Sequence, residues 1–210
     1  LKEFELDGKI PMIEVQPRQK VDLFPFEVEP FRAAHSIVDG VGLAIRTPLG
    51  LIVHSGDFKL DQTPVDGENT DLARLAEFGE EGVLMADSTN VENEGYTLSE
   101  RTVKKALEEI IPNCPKRVVV ATFSSNIHRI QQIADVAAAS GRKLLINGRS
   151  MVSNIDVARK LGYLKIAEEQ FIDLRDMRSL PPREVLIITT GSQGEPLSAL
   201  MRIALGDHKQ

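Results

Sequence analysis

The chain has 210 residues, of which 42% are hydrophobic and 27% charged; that length buries a real core as one large domain or two small ones, and the composition excludes a disordered or low-complexity polymer. Its formal net charge of −6 argues against a protein that coats nucleic acid nonspecifically, because phosphate contacts are made by clustered Lys and Arg, yet carboxylates that hold a metal also count as negative in such a sum. The single cysteine, Cys114, excludes an intramolecular disulfide, and no apolar run reaches the ~18 residues of a membrane-spanning helix, so no membrane partner and a reducing cytoplasm are expected.

The chain opens on Leu1-Lys2-Glu3-Phe4, without an initiator methionine or secretion signal, and stops at Asp207-His208-Lys209-Gln210 just past an expected helix end; both features predict a longer parent chain. Residues 1–98 read as strand-rich. Val41 to Arg46 and Leu51 to Val53 flank Thr47-Pro48-Leu49-Gly50, a tight-turn sequence that predicts a hairpin. Val83 to Ala86 reads as a short buried strand.

The pattern then changes to alternating helices and strands. Thr97-Leu98-Ser99-Glu100 has the form of a capping box, after which Val103, Ala106, Leu107, Ile110 and Ile111 recur at helical spacing until Pro112. A strand over Val118 to Phe123, a helix from about Asn126 to Ala139 stopped by Gly141, and a strand over Lys143 to Ile146 follow. A helix around Ile155 to Leu161, a strand over Val185 to Thr189 and a last helix over Ser198 to Leu205 complete the series. Wholly apolar strands separated by helices indicate a parallel sheet covered on both faces. Two parts are therefore expected, 1–98 and 99–210.

In the first part His35 and Asp57 each sit at a strand edge and are of the residue types that suit zinc or manganese; as an isolated pair they are better described as a satisfied polar histidine and a strand-ending aspartate. Strand alternation puts Val53, Ser55 and Asp57 on one face and His54 on the other, which predicts a hydrogen-bonded strand histidine at 54. Asp87 follows a strand and suits either proton transfer and histidine orientation, or turn chemistry with Ser88, Thr89 and Asn90.

In the second part three strand ends carry polar or glycine-rich loops: Phe123-Ser124-Ser125-Asn126, Asn147-Gly148-Arg149-Ser150 and Thr190-Gly191-Ser192-Gln193-Gly194-Glu195-Pro196. Parallel sheets bind ligands beyond the carboxyl ends of their strands, where helix N-termini offer free amides to phosphate. The same residues also serve as ordinary caps and turns. His128, in the first helical turn beside one loop, suits a nucleotide contact or a solvated surface position.

Taken in order, Ala34-His35-Ser36-Ile37, Gly56-Asp57-Phe58-Lys59, Asp87-Ser88-Thr89-Asn90, the run from Phe123 to Gln132 and the run from Thr189 to Pro196 resemble the ribonuclease J family over nearly the whole chain. The resemblance implies an α/β fold: part of a metallo-β-lactamase αββα sandwich (1–98) with an inserted β-CASP parallel-sheet α/β domain (99–210), each incomplete. It implies that His35 and Asp57 are metal ligands, that Asp87 is a catalytic acidic residue, and that Ser124, Ser125, Asn126, His128, Gly191 and Ser192 bind substrate.

The reaction so implied is metal-dependent hydrolysis of RNA phosphodiesters, processive from a 5′ monophosphate with internal cutting as well, in a homo-oligomeric full-length protein carrying two divalent ions, zinc first and manganese or magnesium as alternatives. The superfamily's His-x-His-x-Asp-His cluster is absent, as are the later β-CASP histidines. With two ligands remaining, this chain by itself is expected to bind metal weakly or not at all and to lack nuclease activity. Two other readings are a superfamily hydrolase acting on a thioester or lactam, which the α/β insertion disfavours, and a noncatalytic phosphate- or nucleotide-binding scaffold.

Overall fold

The computed structural model describes residues 8–95, 97 and 99–206. They form two compact units: residues 8–33 with Asp39–Lys59 and Thr70–Glu94, and Ala34–Val38 with Leu60–Asn69 and residues 95–206.

The first unit is built on a five-stranded sheet of β1 (Val21–Leu23), β2 (Phe26–Arg32), β3 (Val41–Thr47), β4 (Gly50–His54) and β5 (Gly82–Met85), in that spatial order, with one helix, α1 (Leu72–Gly79). The predicted hairpin is β3–β4. Thr47 pairs with Gly50 across the turn, its hydroxyl donates to the Gly50 carbonyl at 2.9 Å, and Gly50 takes a φ of 143° that a side chain would resist.

Pairing is antiparallel from β1 to β4 and parallel between β4 and β5. Arg32 lies opposite Val41, Leu43 opposite His54, and His54 beside Met85. The carboxyl ends of β2, β4 and β5 therefore share one edge of the sheet. Phe31, Ala44, Leu51, Val53 and Phe78 make its small core. Beside it Glu29, only 4% exposed, takes both oxygens to the Arg74 guanidinium at 2.7 Å. Those hydrogen bonds hold its carboxyl below the ordinary range, and Arg74 also lies 4.5 Å over the Phe78 ring.

Helix α1 is capped by Asp71, whose carboxylate accepts from the Arg74 amide at 3.2 Å and from the Arg18 guanidinium at 2.8 and 2.9 Å. One sequence expectation fails here. The β5 segment reads as a buried strand, but Val83, Leu84 and Met85 are 68%, 55% and 54% exposed. An edge strand has a neighbour on one side only, so apolar content by itself does not bury it.

The second unit runs α2 (Glu100–Asn113), β6 (Val118–Ala121), α3 (Ile127–Ala139), β7 (Lys143–Asn147), α4 (Arg149–Lys160), β8 (Phe171–Ile172), α5 (Asp176–Ser179), β9 (Val185–Thr189) and α6 (Ala199–Ala204). The strands form a parallel sheet in the order β6-β9-β7-β8. Leu144, Leu186 and Ile188 join one core with α3 and α4, while Leu145, Val185 and Ile187 join another with Met177 of α5. Because alternate residues of β9 meet two covered faces, the whole strand is buried and reads as apolar without alternation.

At the opposite edge from the strands' carboxyl ends, Arg142 is 2% exposed. Its guanidinium donates to the carbonyls of Cys114 at 2.6 Å, Ile111 and Lys116 at 3.0 Å, and Val185 at 3.4 Å. It thereby closes the C-terminal turn of α2, whose last carbonyls have no helical partner.

The start of α2 departs from the expected capping box. The cap is Ser99, whose hydroxyl oxygen accepts from the Arg101 amide at 3.3 Å. The Glu100 carboxylate accepts from the Arg129 guanidinium at 2.5 and 3.0 Å, a charge-assisted pair. Leu98, within that tetrad, lies outside the described residues. Pro112 is accommodated inside the last turn of α2, and α4 starts six residues ahead of the expected Ile155, directly after Gly148 at φ 112°.

Candidate functional site

Asp57 lies past the end of β4. The strand stops at His54, and Gly56 at φ 63° turns the chain, so Asp57 is exposed rather than continuing the face of the buried Val53 and Ser55. A Cβ at Gly56 would approach the Val41 carbonyl to 2.7 Å, which makes this turn dependent on glycine. The His54 ring accepts from the Gly56 amide through Nδ1 at 3.0 Å.

Asp87 lies past the parallel neighbour β5. Its Oδ1 accepts from the Thr89 amide at 3.0 Å and hydroxyl at 2.7 Å, an Asx turn. The two turns are tied by Ser55, which is 4% exposed: its hydroxyl accepts from the Asp87 amide at 2.9 Å and donates to the Gly56 carbonyl at 2.7 Å. The sequence placed Ser55 on a strand face without a functional role, since one serine after a strand has no pattern to distinguish it.

His35 sits three residues beyond β2, partly buried, with Nδ1 3.3 Å from the Ser36 hydroxyl. It belongs to the 34–38 segment that is part of the second unit. Among the described residues no group of three or more His, Cys, Asp or Glu side chains is arranged to hold a metal ion. His35 and Asp57 therefore do not fit a two-metal centre on their own.

In the second unit the structure brings the three polar loops together. Ala121, Thr189 and Asn147 are register partners at the carboxyl ends of β6, β9 and β7, and the Thr122 amide continues the ladder by donating to the Thr189 carbonyl at 3.0 Å. The loops that follow thus leave one edge from adjacent strands. In the first, Ser124 accepts from the Asn154 side-chain amide at 3.1 Å, and Ser125 is exposed. Asn126 is buried and caps α3, accepting from the Arg129 amide at 3.0 Å.

His128, in the first turn of α3, places Nε2 3.5 Å from Asp66. In the loop after β9, Gly191 is buried at φ 113°, and a Cβ there would come within 2.6 Å of the Ser198 hydroxyl and 2.8 Å of Leu200. Ser192 beside it is exposed. Asn147, 7% exposed, holds its side-chain amide nitrogen buried without a protein partner. Asp66 and Asn154 were missed as site residues because both act across the fold, 62 and 30 positions from His128 and Ser124.

The arrangement presents hydroxyls, a histidine and glycine-permitted close backbone approach on one sheet edge, which suits an anionic, phosphate-bearing ligand. Among the described residues no helix is long and apolar enough to cross a membrane.

Comparison with known proteins gives the same region a family. Residues 115–210 match the family model described as ribonuclease J, beta-CASP domain. The chain is 46% identical over 201 residues to a ribonuclease J of Corynebacterium glutamicum, covering 95% of this chain and 28% of that protein. It is also 46% identical over 212 residues to one of Thermus thermophilus, covering 99% and 37%. It thus spans well under half the length of the curated relatives it matches. A solved protein of unknown function from Enterococcus faecalis shares the fold with a TM-score of 0.63 at 15% identity, over 93% of this chain and 52% of that one.

Proposed function

Because this chain belongs to the ribonuclease J family, we propose that it serves a metal-dependent RNA phosphodiester hydrolase of the cytoplasm, acting 5′-to-3′ from a 5′ monophosphate and also internally. The observation that carries the reading is the register-aligned carboxyl edge of β6, β9 and β7, where three polar loops meet. Ser124, Ser125, His128 and Ser192 are assigned to the RNA 5′ end and its phosphate; Asn126 and Gly191 act by shaping the two loops. A pocket fixed on a rigid sheet edge sets where the chain end stops and so which phosphodiester is presented for cleavage.

His35 and Asp57 are assigned as ligands of divalent metal, zinc first, in a full-length homo-oligomer, and Asp87 as the acidic group of the reaction centre. The tie through Ser55 supports placing Asp57 and Asp87 in one functional region. The domain reading assigns 1–98 to the metallo-β-lactamase part and 99–210 to the β-CASP part.

The test compares binding and hydrolysis of one oligoribonucleotide with a 5′ monophosphate or a 5′ hydroxyl by the complete protein. A preference for the monophosphate that is lost on Ser125→Ala, together with loss of bound metal and activity on Asp57→Ala, is expected. Equal handling of the two RNA ends contradicts the pocket, and unchanged metal content in Asp57→Ala removes that residue from the centre. The 210-residue chain alone is expected to show no chelator-sensitive RNA hydrolysis; robust hydrolysis contradicts the ligand assignment.

A further inference from the structure

Beside the Ser124-Ser125 loop the second unit carries a cavity of about 190 Å³ whose walls are mostly apolar. Its lining includes Ile37 and Val38, Val157 of α4, Leu161 at the C-cap of that helix, and Tyr163. Its polar groups are concentrated at Ser125 and Asn154, and Asn154 donates to Ser124 at 3.1 Å. The slot is therefore continuous, through a hydrogen bond, with the loop assigned above to the RNA 5′ phosphate.

Several of these apolar side chains are exposed: Val157 is 51% exposed, Leu161 67%, Tyr163 39% and Ile37 46%. Clustered exposed apolar groups with a polar rim mark a ligand surface. The volume is below the roughly 300–1,000 Å³ of clefts for drug-sized ligands, which restricts the occupant to a small group. A flat ligand with apolar faces and hydrogen-bonding edges matches a lining of one aromatic ring, aliphatic side chains, a hydroxyl and an amide; unstacked RNA bases are held by such groups.

We propose that this slot receives the 5′-terminal base of the RNA, stacked against Tyr163 and Leu161, with its edge toward Ser125 and Asn154. The inference rests on the assignment of the Ser124-Ser125 loop to the 5′ phosphate, since that loop brings the first nucleotide to the slot. Base identity is read weakly, because stacking accepts every base.

The experiment measures binding of the complete protein to a short 5′-phosphorylated RNA whose first nucleotide is intact or abasic, with the 5′-hydroxyl RNA as a third ligand. The intact RNA is expected to bind roughly tenfold more tightly than the abasic one. In Leu161→Asp and Tyr163→Ala that gap closes to less than about twofold, while the preference for the 5′ phosphate persists. Leu161 is a surface position, so Leu161→Asp folds normally, and an unchanged melting curve verifies it.

A gap that is absent from the native protein, or that persists in both variants, overturns the proposal. So does a change of oligomeric state in Leu161→Asp, which reassigns the patch to a protein interface. Loss of the phosphate preference in the native protein with the base gap intact refutes the phosphate loop instead, so the two failures are distinguishable.

Discussion

The two sheets bury their apolar strands to very different degrees. In the second unit β9 is buried at every residue and sends side chains into cores on both faces. In the first, β5 has a comparable apolar content, yet three of its four residues are more than half exposed. The second unit is thus stabilised by a closed apolar interior stapled by one buried cation. The first relies on a small core beside a buried ion pair. An apolar strand reports what a segment can bury, and its place in the sheet decides what it does bury.

The largest effect that tests this contrast is expected at Arg142. Arg142→Met removes a guanidinium that serves four carbonyls and leaves buried acceptors unpaired, which costs about 3 kcal/mol or more. Urea unfolding followed by a probe on α2 or α3 measures it, and a loss under about 1 kcal/mol removes Arg142 from the role of staple.

Next in size, Glu29→Gln is expected to destabilise the first unit by about 2 kcal/mol at neutral pH, since it replaces a buried bidentate charged pair. Hydrogen bonding to Arg74 lowers the Glu29 pKa. Its stabilisation is therefore fully present above the unfolded value of about 4.3 and is lost as pH falls through the lower folded value. Thermal melts between neutrality and about pH 3 should show an acid-induced loss that is reduced in Glu29→Gln; identical pH profiles would exclude the pair as the acid-sensitive element.

A smaller effect belongs to the α3 cap. Asn126→Ala should cost about 1 kcal/mol by freeing the Arg129 amide, and hydrogen exchange at the first turn of α3 should accelerate. Smallest of all, Leu84→Ala at the exposed β5 edge should change stability by less than about 0.5 kcal/mol. A loss of several kcal/mol there would mean that the strand is covered and would erase the difference between the two sheets.

Much of the second unit was legible from its residues. The strand over Val185 to Thr189 matches observed β9 end to end, and the helix over Asn126 to Ala139 differs from α3 only by its cap residue. Helical periodicity and glycine stops are local signals, so they survive without tertiary information. The first unit was less legible: β2 and α1 were not anticipated, because Phe26–Arg32 contains a proline and charges that break clean alternation, and Leu72–Gly79 is a two-turn helix with little room for a period.

By itself the sequence determined the alternating strand-and-helix order, the hairpin at Thr47 to Gly50, the three polar loops and the resemblance carried by five ordered segments. All of these depend on neighbours in the chain. Only the tertiary structure decided that the three loops leave adjacent strands, that Ser55 joins the turns of Asp57 and Asp87, that Asn154 reaches Ser124, and that β5 lies at an open edge. Each of those facts is a pairing between residues distant in the chain, set by strand register and packing, and no local pattern of side chains encodes it.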